Sequence, residues 1–166
     1  MKKLLAIFSI LLLAGCGWEP VYGDLGSKTE QNAVEATLAQ IAITNIQDRE
    51  GQYLRNALID RFYRHARPAN AAYTLSVGKI QERLTDLDIT KSSDATRGQL
   101  RLSTTIVLID RKTENEVLTR KLRSITSYNI LGSEFTNRVS EENARQNALD
   151  DLARQIELQI SLHFQR

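Results

Sequence analysis

Cys16 is the one thiol of the chain, and the residues that lead to it, Leu13-Ala14-Gly15-Cys16, form the small-residue pattern that precedes acylation of a cysteine in an exported precursor. The chemistry is attachment of a lipid to Sγ and, after cleavage ahead of Cys16, acylation of the freed amino group. Upstream, Lys2 and Lys3 followed by the mostly apolar run Leu4 to Ala14 supply the charged and hydrophobic parts of a signal peptide. That run is shorter than the about 20 apolar residues that cross a bilayer as a helix. Residues 1–15 are therefore expected to leave as a signal peptide, with Cys16 as the lipid attachment site. Several acyl chains, each burying methylenes at about 0.8 kcal/mol apiece, anchor a protein where a single chain does so only marginally.

The second group with chemical capacity is basic and hydroxyl-bearing: Lys91, Arg97, Arg101, Lys121, Arg123 and Arg138, interleaved with Ser103 and Thr105. These residues read either as a solvated sheet face with its loops or as a surface that docks on a polar partner or grips phosphate. Arg supplies two-pronged contacts to such groups and Lys a point charge. Other constellations are missing. His65 and His163 are far apart and have no Cys or carboxylate at metal-ligand spacing. Glu141-Glu142 and Asp150-Asp151 are sequence neighbours, about 100° apart on a helix and badly placed to flank one bond. No Gly-rich phosphate loop, nucleophile elbow or H-E-x-x-H stretch occurs. No catalytic residue, metal or cofactor is expected.

The elements that must position the basic residues follow from periodicity. Residues 16–37 are polar, with Gly17, Gly23 and Gly26, and read as a lipidated tether. Residues 38–166 read as a single α+β domain. Leu38 to Ile46 predicts a first strand and Gln47 to Gly51 its turn. Leu54, Leu58 and Phe62, four apart, line one face of a helix that Pro68 stops near Arg67. Tyr73, Leu75 and Val77 alternate as a second strand whose phase slips after Gly78, as at a bulge or bend. Asp86 to Gly98 predicts a loop or a frayed strand end. Leu100, Leu102, Ile106 and Leu108 share one parity and Arg101, Ser103 and Thr105 the other, the strongest strand signal of the chain. Asp110 to Glu116 predicts a turn and Val117 to Thr126 the antiparallel return, with Leu118 and Leu122 inward and Lys121 and Arg123 outward. Ser127 to Val139 reads as a loop, with Ser140 as the N-cap of a closing helix striped by Ala144, Ala148, Leu149, Leu152, Ile156 and Ile160. On its outer side Asp150 is placed to pair with Arg154. The expected fold is β-α-β-β-β-α, a two-layer sandwich of a four-stranded, mostly antiparallel sheet with two helices on one face.

Of 22 Lys and Arg against 20 Asp and Glu, Lys2 and Lys3 alone account for the excess, so the remaining chain is neutral and its charge gives no reason to expect nucleic acid as a partner. Lipidation would consume the one cysteine, and packing rather than disulfides must hold the domain.

The chain resembles the LptE family, lipoprotein partners of the lipopolysaccharide-assembly barrel LptD. The resemblance rests on Cys16-Gly17-Trp18 with Pro20 and Tyr22 close behind, on Asp48-Arg49 leading to Leu54-Arg55-Asn56, on Thr104-Thr105-Ile106-Val107-Leu108, on Arg123-Ser124 and on the long closing helix. It implies two helices on a four-stranded sheet, a seat as a plug inside an LptD-like barrel, and a part in moving lipopolysaccharide to the outer membrane, where the lipid would anchor the protein on the periplasmic side. A polar sheet face suits the polar lumen of a barrel. The resemblance also implies glycolipid contact by basic residues near the loop before the third strand and ahead of the last helix. Lys91 lies in the first region and Arg138 in the second, and Arg97 joins them as a candidate lipopolysaccharide-binding residue. Gly17, where some inner-membrane lipoproteins carry Asp, points to outer-membrane sorting. Another periplasm-facing lipoprotein, such as a secretion pilotin or a regulator of cell-wall synthesis, stays open as the alternative.

Overall fold

The computed structural model describes residues 34–63, 67–89 and 95–165, so the expectations for residues 1–33, including Cys16, and for Lys91 lie outside the described residues. A helical turn at residues 34–38 leads into β1 (Ile41–Ile43). Next come α1 (Asp48–Phe62), β2 (Tyr73–Val77), β3 (Gln81–Ile89), β4 (Ala95–Asp110), β5 (Glu116–Asn129) and α2 (Glu134–Phe164). The expected α+β class and the helix-covered sheet hold, and the sheet has five strands rather than four. β1 runs parallel to β2, and every other pairing is antiparallel.

The extra strand arises at Gly78. β2 and β3 are two pieces of one interrupted strand, laid end to end along the same edge of β4: Val77 lies opposite Ile106, and Gln81 opposite Ser103. The break is stitched to β4 by Gly78 N–H donating to the Thr105 carbonyl at 2.8 Å and Thr104 Oγ1 donating to the Gly78 carbonyl at 2.7 Å. Thr104, buried among apolar neighbours, thereby finds its partner. Of the two readings of Asp86 to Gly98, loop or strand end, the described residues take the second, since β3 reaches Ile89 and β4 begins at Ala95. Asp86 lies on β3, an edge strand, where charge discourages further pairing.

Along β4 the expected parity is observed. Leu100, Leu102, Ile106 and Leu108 are fully buried, whereas Arg101 and Thr105 are exposed. On β5, Leu118 and Leu122 turn inward and Lys121 and Arg123 outward. The turn is closed by Asp110 Oδ1, which accepts from Lys112 N–H at 2.7 Å and Thr113 N–H at 3.2 Å. Further along the pair, Gly98 lies opposite Tyr128, whose ring covers it so closely that a Cβ there would fall 2.5 Å from the ring.

Both helices pack on the inward face. Leu54, Leu58 and Phe62 of α1 and Ala148, Leu149, Leu152, Ile156 and Ile160 of α2 join Leu102, Ile106 and Leu108 in one core. Burying such side chains contributes about 1.5–3 kcal/mol each. α1 starts at Asp48, inside the expected turn, and ends at Phe62, before the expected stop near Arg67; the Tyr63 hydroxyl donates to the Ile41 carbonyl and ties the helix end to β1. α2 begins at Glu134 behind Ser133, so Ser140 lies inside the helix rather than at its cap, and Arg138 lies on the helix rather than in a loop. Arg154 pairs with Asp151 at 3.3 Å rather than with Asp150, which instead accepts from the Tyr53 hydroxyl at 3.3 Å. Polar stitches bind α2 to β5: Thr126 Oγ1 donates to the Ala144 carbonyl at 2.9 Å, and Gln155 Nε2 to the Arg123 carbonyl at 3.1 Å. Burial acts to raise the Asp151 pKa, but hydrogen bonds with the buried Ser124 and with Gln155, together with the charge of Arg154, outweigh it and hold the carboxyl below its ordinary value.

Candidate functional site

With both helices on one side, the other side of β3, β4 and β5 is left open, and strand alternation decides what it shows. Pairing places Arg83 opposite Arg101, which in turn faces Ile125; Gln81 opposite Ser103, which faces Arg123; and Thr105 opposite Lys121. Arg101, Lys121 and Arg123 are thus brought together with Ser103 and Thr105, as the sequence suggested. Arg83 joins them. It was missed because β3 is polar on both faces and has no apolar alternation to reveal its register. Arg83, Arg101, Ser103, Lys121 and Arg123 border a shallow hollow of about 700 Å³.

At the far end of β4, Arg97 lies opposite Leu87 on one side and Asn129 on the other. This end of the sheet is continuous with the start of α2. Ile130 N–H donates to the Thr96 carbonyl at 3.0 Å, and the next residue is clasped by Asn137, which accepts from Leu131 N–H at 2.6 Å and donates to the Leu131 carbonyl at 2.8 Å. Arg138 follows directly on α2 and is exposed. Around it Leu131, Phe135 and Val139 are exposed as well, Phe135 at 78%. The structure therefore brings Arg97 and Arg138 to one end of the molecule, among exposed apolar side chains. That combination suits an amphiphile, with cations for anionic groups and hydrocarbon for chains.

A third charged group, not anticipated from sequence, is structural. Arg145 of α2 reaches Glu82 of β3 with two bonds, Nη2 to Oε1 at 2.8 Å and Nε to Oε2 at 2.9 Å, and also binds Glu141 at 2.7 Å and Glu142 at 2.8 Å. Hydrogen bonding to Glu82, against the opposing effect of burial, raises its pKa further above the ordinary arginine value. The fork geometry fastens the helix across to the edge strand.

Among the described residues, no three His, Cys, Asp or Glu side chains gather to hold a metal ion. His163 stacks edge-on against Phe164 with centroids 5.2 Å apart, and Phe164 against Tyr73 at 5.0 Å. No described helix is long and apolar enough to cross a membrane.

Comparison with known proteins fits this architecture. The chain is similar to a lipoprotein of Caulobacter crescentus CB15, with 25% identity over 78% of this chain and 93% of that one and a TM-score of 0.63. It is similar also to the minor lipoprotein of Acinetobacter baumannii, with 27% identity over 74% and 88% and a TM-score of 0.54. Rare lipoprotein B of Shewanella oneidensis, at 12% identity over 72% and 89% and a TM-score of 0.55, shares the fold. Among curated proteins no sequence matches. The family model described as LptE, lipopolysaccharide-assembly, matches residues 38–160, which takes in every strand and helix from β1 and nearly all of α2. The chain belongs to this LptE family of lipopolysaccharide-assembly lipoproteins, which are not enzymes.

Proposed function

We propose that the protein is an outer-membrane lipoprotein that plugs an LptD-like β-barrel and assists the passage of lipopolysaccharide through it. In this reading residues 1–15 are the signal peptide, Cys16 carries the lipid, residues 16–37 are the tether and residues 38–166 the plug. The observation that carries the glycolipid role is the joining of Arg97 and Arg138 with exposed Leu131, Phe135 and Val139 at one end of the molecule. Phosphates of a glycolipid take charge-assisted bonds from the arginines and, from the sequence reading, Lys91, while its chains cover the apolar side chains. The polar open face suits a polar lumen, and family membership supports the assembly role.

The test is a pull-down of the lipidated protein in mild detergent. The wild type is expected to bring down a large outer-membrane barrel together with lipopolysaccharide. Lys91→Glu combined with Arg138→Glu is expected to keep the barrel and lose most of the glycolipid. Unchanged glycolipid with the double variant removes these residues from the binding site, and wild type that captures no barrel refutes the plug.

A further inference from the structure

The open face carries more positive charge than the fold needs. Across β3, β4 and β5 it presents Arg83, Arg101, Lys121 and Arg123, and the Glu116 carboxylate, at the start of β5, accepts from Thr119 Oγ1 at 3.2 Å rather than pairing with any of them. Arg83 and Arg101 are direct cross-strand partners, Arg101 and Arg123 are diagonal neighbours, and Lys121 and Arg123 are two apart on one strand. Like charges placed directly opposite destabilise a sheet. Among the described residues, none of Arg83, Arg101, Lys121 and Arg123 is in salt-bridge range of a carboxylate. Glu82, at the border of the hollow, already has both its oxygens on Arg145.

Strand spacing sets the backbone positions of neighbouring members of this group about 5–8 Å apart, an interval at which one ligand with several anionic groups can meet more than one of the long side chains. Three of the four are arginines, whose planar fork matches the oxygens of phosphate. Gln81, Ser103 and Thr105 stand between them and offer amide and hydroxyl groups to sugar hydroxyls. The hollow of about 700 Å³ continues into a second of about 270 Å³ that shares Gln81, Ser103 and Lys121. The larger volume falls in the range of about 300–1,000 Å³ typical of small-ligand sites.

We propose that this hollow is an anion site for a saccharide bearing two or more phosphate groups, separate from the Arg97 and Arg138 end. Naming lipopolysaccharide sugars as its natural source rests on the function proposed above; a free sugar phosphate would meet the same groups.

The experiment is calorimetric titration of the full lipidated chain, in neutral detergent, with tripolyphosphate, and with hexaglutamate as a carboxylate comparison. Wild type is expected to bind tripolyphosphate, more weakly as salt rises, and at least tenfold better than hexaglutamate. Arg101→Gln with Arg123→Gln is expected to weaken tripolyphosphate binding by about tenfold or more per arginine, and by more than Lys91→Glu with Arg138→Glu does. Folding should survive the first pair because Arg83 loses a like-charged neighbour, and Arg83→Gln on the edge strand provides a second variant. If the face variant also releases co-purified lipopolysaccharide, the glycolipid is the source; if it binds tripolyphosphate poorly but retains the glycolipid, a free sugar phosphate is. Equal tripolyphosphate affinity of wild type and face variants overturns the proposal. So does preference for hexaglutamate, or loss of barrel capture in the face variant, either of which makes the face a seat for an acidic protein surface. Failure of the wild type to capture any barrel would refute the function proposed above without touching the tripolyphosphate result.

Discussion

Replacing Ile106 by Ala tests the architecture at its centre. Ile106 is fully buried on β4, opposite Val77 of β2 and Arg120 of β5, at the point where the interrupted strand begins to break. The substitution removes three carbons, worth about 0.8 kcal/mol each, or about 2.4 kcal/mol in transfer alone. A residual cavity adds about 24 cal/mol per Å³, so about 40 Å³ left unfilled adds a further 1 kcal/mol. The expected loss is thus about 3 kcal/mol, within the 2–5 kcal/mol usual for such truncations. Urea unfolding followed by circular dichroism should show the midpoint falling by about 1.5 M for a slope near 2 kcal/mol per M. Thr105→Ala, one residue away but facing the open side, should stay within about 0.5 kcal/mol of wild type. An Ile106→Ala change that small, or a larger loss from Thr105→Ala, would show that the two faces of β4 had been exchanged.

Arg145→Met should cost about 1–3 kcal/mol, because it leaves Glu82, Glu141 and Glu142 grouped without their cation; a double-mutant cycle with Glu82→Gln should give a coupling above about 0.5 kcal/mol, and additive losses would refute a shared network. Gly98→Ala should lower the unfolding midpoint, since its Cβ needs the space held by the Tyr128 ring. In a Tyr128→Ala background that loss should largely vanish, and its persistence would place the strain in the backbone instead. Cys16→Ala should abolish metabolic labelling with radioactive palmitate and leave an uncleaved precursor, whereas an unlabelled wild type would refute the lipid attachment.

How much of this was legible depended on whether a residue's neighbours were local. The parity of β4, the stripe of α2 and the slip at Gly78 each declare themselves within a few residues, because burial on one face repeats at the period of the element. The α1 stripe was visible for the same reason. β3 escaped because its sequence, Gln81 to Ile89, holds an edge position where both faces carry polar groups, and polarity alone reads as loop. The first turns of α2 escaped because Phe135 and Val139 are exposed, so they add no core-facing repeat ahead of Ala144. The Arg145 group joins residues 63 apart in the chain, and Arg83 acquires its meaning from a register with Arg101 that only the folded sheet sets. The basic face was therefore half visible: the residues on β4 and β5 could be paired through their hairpin, and the one on β3 could not.

The arrangement of β2 and β3 along a single edge of β4 carries a consequence for how the chain comes to its native state. Neither piece pairs with the other, and both depend on a strand that follows them in sequence. β2 has only the three residues of β1 as an earlier partner, too short a ladder to persist alone. For a polypeptide that emerges from a membrane channel with its amino terminus leading, the first half of the sheet has no durable template until β4 has come through. The turn between β4 and β5 is short, so that hairpin closes at little entropic cost once both strands are free. In the exported lipoprotein proposed above, topology thus delays collapse while the chain crosses extended, then lets one late hairpin gather every earlier strand.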